Sequence, residues 1–481
     1  MTITFHDLIL ISPLIITGFT SVIIMLSIAF HRNHITSISI ALSGFICSLF
    51  LIVILAVSNY TVDVTFLIRV DGFSLFYSAL VVISGIWSII FAYYWLKKID
   101  DNKDEFYLLI MIATTGGILL SMSNHLVSMF IGIELITLPL LGLVVYSFDD
   151  KRSLEAGIKY MLMSLSTSFL LFGIALLYAE LGDLNFEHIA EIIFNNNTHT
   201  YLLSIGLGML IIGLCIKLSF FPFHLWTPDV YQGAPDSVSS FLLTGCKIGI
   251  FAVLFRFFTK VLINNEIVLI MFSVIAIASI LFGNILAFTQ KNLKRLFAYS
   301  SISNMGYLLV ALVSAKSDKS ISQLAVAIYL ISYMFSSLGI FGIISTISNR
   351  KYNNDVNNIN IFYGLFWHEP MLSIAMSIMV FSLAGIPITL GFIGKFYVIF
   401  SVMNSKIWWF IYFLIIGNII GMYNYLRFIS VLYMYKEKNN DFYDDKKQKL
   451  NIFFILICSV IVLVFGVWPN PIISIASIVI D

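Results

Sequence analysis

The sequence predicts an all-α membrane protein of about fourteen transmembrane helices, and three observations carry that prediction. Of 481 residues, 59% are hydrophobic and only 11% charged, whereas soluble domains are about a quarter charged. Apolar runs recur from Leu8 to the last residues, each near the roughly 20 residues that a hydrocarbon core of about 30 Å requires. Basic residues crowd into alternate loops between those runs, as the positive-inside rule demands. A single integral membrane domain over 1–481 follows, with no soluble domain of any size. Lys and Arg number 27 against 26 Asp and Glu, so no basic excess marks a nucleic-acid partner. The lipid bilayer is the partner that composition implies.

The runs lie near 8–30, 35–58, 73–96, 106–121, 124–146, 157–180, 201–220, 236–259, 267–288, 297–315, 321–347, 371–400, 407–434 and 450–472. One set of loops holds Arg32, Lys97, Lys98, Lys103, Lys151, Arg152, Lys291, Lys294, Arg295, Arg350, Lys351, Lys436, Lys438, Lys446, Lys447 and Lys449. The other holds only Arg69, Lys260, Lys316, Lys319 and Lys406, and its longest member, about 181–200, carries Asp183, Glu187 and Glu191 without any Lys or Arg. The first set therefore faces the cytoplasm, and an even number of spans puts both termini on the outer side. Acidic Asp7 precedes the first span and no basic n-region does, which does not fit a cleaved signal peptide. The cysteines Cys47, Cys215, Cys246 and Cys458 stand singly in apolar segments. They read as small packing residues, and no metal or cofactor ligand set is visible.

Six basic residues remain within spans or near their ends: Lys159, Lys217, Lys247, Arg256, Lys395 and Arg427. A charge at a helix centre costs roughly 2.5–3.5 kcal/mol on insertion scales, so such residues need a compensating role. Arg256 and Arg427 sit toward span ends, where a long stem snorkels to the interface. Lys217, Lys247 and Lys395 have longer apolar flanks. Glu134, in SMFIGIELITLPL, is the one acid placed as deeply. Burial disfavours the charged form of either group and an ion pair opposes that effect, so a Glu–Lys pair that forms and breaks changes proton affinity. A buried lysine can take and release a proton, which an arginine cannot. The alternative is a static ion pair that orients helices.

Helix breakers mark the same places. Lys217 opens KLSFFPFHLWTPDVYQGAP, and Lys395 lies in LAGIPITLGFIGKFY after Gly385, Pro387, Gly391 and Gly394. Discontinuous spans free backbone groups inside the membrane, an arrangement typical of ion sites. One such span in each half suggests a duplication. Further polar residues, Ser121, Ser123, Asn124, His125, Ser164, Ser166, Thr167, Ser168, Ser300, Ser301, Ser303 and Asn304, either hold waters or act as helix-packing contacts. His224 is either a proton relay or a capped loop histidine.

The stretches DNKDEFYLL, FIGIELITLPLLGLVVYSF, RSLEAGIKYMLMS, KLSFFPFHLWTPDVYQGAP, KRLFAYSSIS and LAGIPITLGFIGKFY resemble the antiporter-like subunits of complex I and the related multisubunit cation/proton antiporters. The opening MTITFHDLI and closing GVWPNP are similar to the subunit N group of bacterial NADH:quinone oxidoreductases. The resemblance implies two inverted five-helix repeats with discontinuous helices, at about 106–259 and 267–434, flanked by 8–96 and 450–472. It implies that Glu134 and Lys217 form a coupled pair, that Lys247 is a connecting lysine and Lys395 the terminal one, and that Glu105 and Lys159 are accessory. It also implies a bacterial inner-membrane location with other membrane-arm subunits as partners. Cofactors of the whole assembly, FMN, iron–sulfur clusters, NADH and quinone, would be bound elsewhere and none by this chain. One departure matters: SSISNMGY carries Asn304 where many family members have histidine, and an amide does not pass protons as imidazole does. The function expected is proton translocation coupled to NADH–quinone electron transfer. A sodium/proton antiporter subunit and a structural scaffold with dead channels are the alternatives.

Overall fold

Lipid offers no partner to backbone N–H and C=O groups, so a chain of this composition must satisfy them within helices. The computed structural model describes residues 5–58, 61–99, 103–148, 150–196, 201–349, 358–435 and 448–480. Arg350, Lys351, Lys436, Lys438, Lys446 and Lys447 of the basic loops lie outside the described residues. Helices α1 (Phe5–Leu10), α2 (Ser12–Phe30) and α3 (His34–Val57) come first. A hairpin of β1 (Val62–Asp63) and β2 (Arg69–Val70), with Asp63 opposite Arg69, precedes α4 (Gly72–Leu96). The first unit comprises α5 (Asp104–Met122), α6 (Leu126–Val144), α7 (Lys151–Ser164), α8 (Thr167–Leu181), α9 (Phe186–Asn196), α10 (Tyr201–Leu218), α11 (Thr227–Gly233), α12 (Asp236–Phe241) and α13 (Lys247–Phe257). The second comprises α14 (Glu266–Phe288), α15 (Leu293–Ser314), α16 (Lys319–Ser348), α17 (Leu365–His368), α18 (Pro370–Ala384), α19 (Leu390–Asn404) and α20 (Trp408–Tyr433). The chain closes with α21 (Lys449–Val467) and α22 (Asn470–Ala476).

Among the described residues 13 helical segments are long and apolar enough to cross a membrane, and the shorter apolar pair α18 and α19 occupies the remaining position between α16 and α20. Together they make the fourteen spans read from the sequence. Helix starts are set by short polar side chains. Asn33, Asp71, Asp150, Asn265, Asn292 and Asp318 each accept a hydrogen bond from a first-turn N–H of the helix that follows.

The two units pack alike. The first span rests on the second (α5 on α6, α14 on α15), the third on the fourth (α8 on α10, α16 on α19), and the fifth returns to the first (α13 on α5, α20 on α14). Small residues permit the first contact in both. A Cβ built on Gly116 would lie 2.9 Å from the Gly132 carbonyl oxygen of α6, and one on Gly283 would lie 2.8 Å from the Ser303 nitrogen of α15. Five is odd, so the second unit starts from the opposite face and runs inverted. The segment from Asp236 to Leu262, with α15 and α16, forms the buried centre, while α2, α3, α7, α8 and α20 lie at the periphery.

Breaks occur where glycine and proline placed them. α10 ends at Leu218, Ser219 takes a positive φ of 62°, and helix resumes at Thr227. α18 ends on Gly385 at φ 78°. Further irregularities are the step between α7 and α8 around Leu165, a π-helical turn at Leu242–Cys246, which contains Gly245, directly before Lys247, and a second π turn at Phe258–Leu262.

Candidate functional site

Lys217 lies in the last turn of α10, and its Nζ donates to Thr137 Oγ1 at 3.2 Å. Thr137 stands three residues beyond Glu134 on α6, hence on the same helical face. The Glu134 carboxylate is half-buried and makes no ion pair among the described residues. Lys217 is thus held to α6 one helical turn from Glu134, with the threonine hydroxyl as the direct contact.

Lys217 shares a cavity of about 30 Å³ with Lys247, walled by Thr137, Tyr160, Ser164 and Tyr231. A water needs roughly 10–15 Å³ by this measure, so the space suits about two. Lys247 is 2% exposed. It follows the π turn, a local widening that recurs at functional positions in helices. Its Nζ donates to Ser301 Oγ at 2.9 Å and stands 5.8 Å from the centre of the Tyr231 ring.

Ser301 hands the line to α15. Next to it the Ser300 hydroxyl bonds the Tyr425 hydroxyl, Asn304 Nδ2 donates to Ser300 Oγ at 3.4 Å, and Tyr329 Oη donates to Asn304 Oδ1 at 2.8 Å. A cavity of about 10 Å³ lined by Asn304, Tyr329, Tyr333 and Lys395 follows. Lys395 Nζ donates to the Leu383 and Ala384 carbonyls at 2.8 and 2.9 Å and to Asn418 Oδ1 at 2.7 Å. Those carbonyls are available because α18 stops at Gly385. A Cβ at Gly385 would fall 2.7 Å from Lys395 Cδ, so glycine serves both the positive φ and the space.

The accessory positions stand apart from this line. Glu105, in the first turn of α5, pairs with Arg32 at 3.0 Å. Lys159 pairs with Glu155 and Asp229, each at 2.6 Å, and Asp229 also binds Arg295, tying together elements that carry the basic loops. His224 is buried in the α10–α11 break, stacked on Phe221 at 5.2 Å, with Nδ1 unpartnered and no place in the lysine cavity.

Arg256 corrects the snorkelling expectation. Its side chain is 5% exposed and pairs with Asp71 at 2.6 Å over the Phe73 ring. The half-buried Asp71 that caps α4 holds it inside the bundle. Arg427 is exposed and donates to the Phe288 carbonyl at 2.8 Å. Sequence reasoning missed Asp71, Thr137, and the pair of Lys294 with Asp236 at 2.5 Å. It also missed Glu187, which bonds Arg69 at 2.8 Å and Lys260 at 2.6 Å. The Lys260 ammonium holds the Glu187 carboxyl below the usual glutamate range. Asp71 before GFSL was legible as a helix cap, but nothing local names its partner 185 residues away.

Among solved structures, a chain of Thermus thermophilus respiratory complex I with bound aureothin superposes with TM-score 0.81 at 26% identity, covering 97% of this chain and 99% of that one. A chain of the membrane-bound sulfane sulfur reductase, an archaeal respiratory membrane complex, gives 0.84 at 20% identity, covering 98% and 97%. One from the Mrp complex of Dietzia sp. DQ12-45-1b gives 0.85 at 16%, covering 99% and 97%. The last two likenesses concern fold alone. Residues 123–421, well over half the chain, match the family model for the transmembrane region of NADH:quinone oxidoreductase and Mrp antiporter subunits. The chain belongs to that NADH:quinone oxidoreductase/Mrp antiporter transmembrane family, a multi-pass membrane protein of the antiporter-like kind.

Proposed function

We propose that this chain is a proton-translocating membrane-arm subunit of an NADH:quinone oxidoreductase, driven by charge movements in neighbouring subunits and holding no redox centre itself. The observation that carries the reading is the line of lysines on broken or widened helices. Lys217 and Lys247 share one cavity, and Lys247 contacts Ser301 on the helix that leads to the Lys395 cavity. The full-length likeness to a complex I chain, at higher identity than to the Mrp chain, supports the choice of assembly. Charge displacement is a sufficient drive: unit charges 4 Å apart feel about 4 kcal/mol at an effective dielectric of 20. Moving Glu134 or a partner's charge by that order redistributes protons along the line. Glu134 and Lys217 act as the coupled pair, Lys247 as the connector and Lys395 as the terminal site. The basic loops lie in the cytoplasm and the termini on the periplasmic face of a bacterial inner membrane.

The test is isolation of the assembly in sealed vesicles. NADH oxidation should drive proton uptake that is independent of sodium and is lost in Lys247→Ala. A chain that migrates without flavin and iron–sulfur subunits, or exchanges sodium for protons without NADH, would instead be an antiporter subunit. Cysteines placed at exposed Lys97 and Glu191 should be labelled from the cytoplasmic and periplasmic sides respectively.

A further inference from the structure

The gap in the line lies between Ser301 and Lys395, where Asn304 stands. An amide carries its donor and acceptor on different atoms, so it cannot accept a proton and pass one on from the same place. A hydroxyl can. Tyr333 on α16 is 2% exposed, and its Oη is a buried polar atom with no hydrogen-bond partner among the described residues. Buried hydroxyls seldom remain so, and an orphan calls for an explanation. The side chain borders two cavities of about 10 Å³ each, one shared with Ser300 and Ser337, the other with Asn304 and Lys395. Each is at the lower limit for a single water. The Ser337 hydroxyl and the Ser301 hydroxyl, which receives the Lys247 hydrogen bond, also stand near Tyr333, neither meeting hydrogen-bond geometry.

We propose that Tyr333 is the proton-relay residue between Lys247 and Lys395. The inference rests on the transport reading above. A proton reaches Oη from the Ser300–Ser301 side through one water while the hydroxyl's own proton leaves toward a water beside Lys395. One O–H bond forms as another breaks, the phenol stays neutral throughout, and rotation about Cζ–Oη resets it. Tyr329 is not the relay, because its hydroxyl is committed to Asn304 Oδ1 at 2.8 Å.

Tyr333→Phe keeps the ring and deletes only the hydroxyl. In vesicles of the whole assembly it should cut NADH-driven proton uptake about tenfold or more, below the 10²–10⁴ typical of a lost acid–base group if water partly reroutes. The solvent deuterium isotope effect on uptake should rise. Adding Asn304→His in the same chain should restore uptake, which a packing role for the hydroxyl would not allow. Should Tyr333→Phe fail to assemble, 3,5-difluorotyrosine at 333 keeps shape and hydroxyl but makes the phenol more acidic, and the pH profile of uptake should shift. Uptake within about twofold of the parent in Tyr333→Phe, or an unmoved profile with difluorotyrosine, overturns this inference. If Lys247→Ala still abolishes uptake, the transport reading survives; if Lys247→Ala pumps normally, both fall.

Discussion

Lys395 separates a relay from a pillar, because its ammonium is held by three acceptors and two are carbonyls that α18 frees by ending at Gly385. Replacing it with methionine removes the donor and leaves the Leu383 and Ala384 carbonyls unpaired. At about 1–3 kcal/mol for each buried unsatisfied group, the cost is roughly 2–6 kcal/mol before relaxation, a large share of a domain's net stability. Lys395→Met should therefore lower assembly as well as pumping. Lys395→Arg keeps the positive charge and donors enough for the same carbonyls. Its guanidinium holds its proton at any physiological pH, so if Lys395 must lose a proton once per cycle, arginine blocks that step. The expected result is near-normal assembly in Lys395→Arg with proton uptake and coupled quinone reduction reduced by orders of magnitude. Full uptake with arginine, together with failed assembly with methionine, would make Lys395 a pillar and refute the relay.

Thr137→Val should impair uptake with the assembly intact, since Thr137 is the direct contact of Lys217. Glu134→Gln should do so more severely because it deletes a charge. Unchanged uptake in both, measured by fluorescence quenching in vesicles, would remove the first pair from the path. Asp71→Ala leaves Arg256 buried without its counter-ion, a loss of about 3–5 kcal/mol, and should appear as a lower unfolding temperature of the purified assembly with little change in turnover of the surviving fraction. Glu187 titrates below its ordinary value near 4.5 because Lys260 binds its ionised form. Its contribution is therefore complete above that value and is lost as pH falls through the depressed one. Hydrogen exchange corrected for intrinsic rates should show α9 opening at acid pH, and Glu187→Gln should open it at neutral pH as well.

Much was legible in order along the chain. Span number and the breaks after Lys217 and before Lys395 follow from local composition, because lipid imposes the same demand on every segment and glycine and proline act on their own backbone; of the three lysines, Lys247 is buried and Lys217 and Lys395 are half-buried. The step around Leu165 was not legible, since Ser164–Thr167 contains neither glycine nor proline, and the single Gly245 within Leu242–Cys246 did not by itself mark the π turn before Lys247. Partnership was the other blind spot. Arg256 looked like a span-end residue until Asp71 was seen beside it, and the direct partner of Lys217 on α6 is Thr137, one helical turn from Glu134. Tyr333 carries no sequence mark at all: its unpartnered hydroxyl is defined by cavities shared with α15 and α19. Which residues are too costly to face lipid is a property of each residue and its neighbours in sequence. Which of them meet depends on how helices distant in sequence cross, and only the packed bundle sets that.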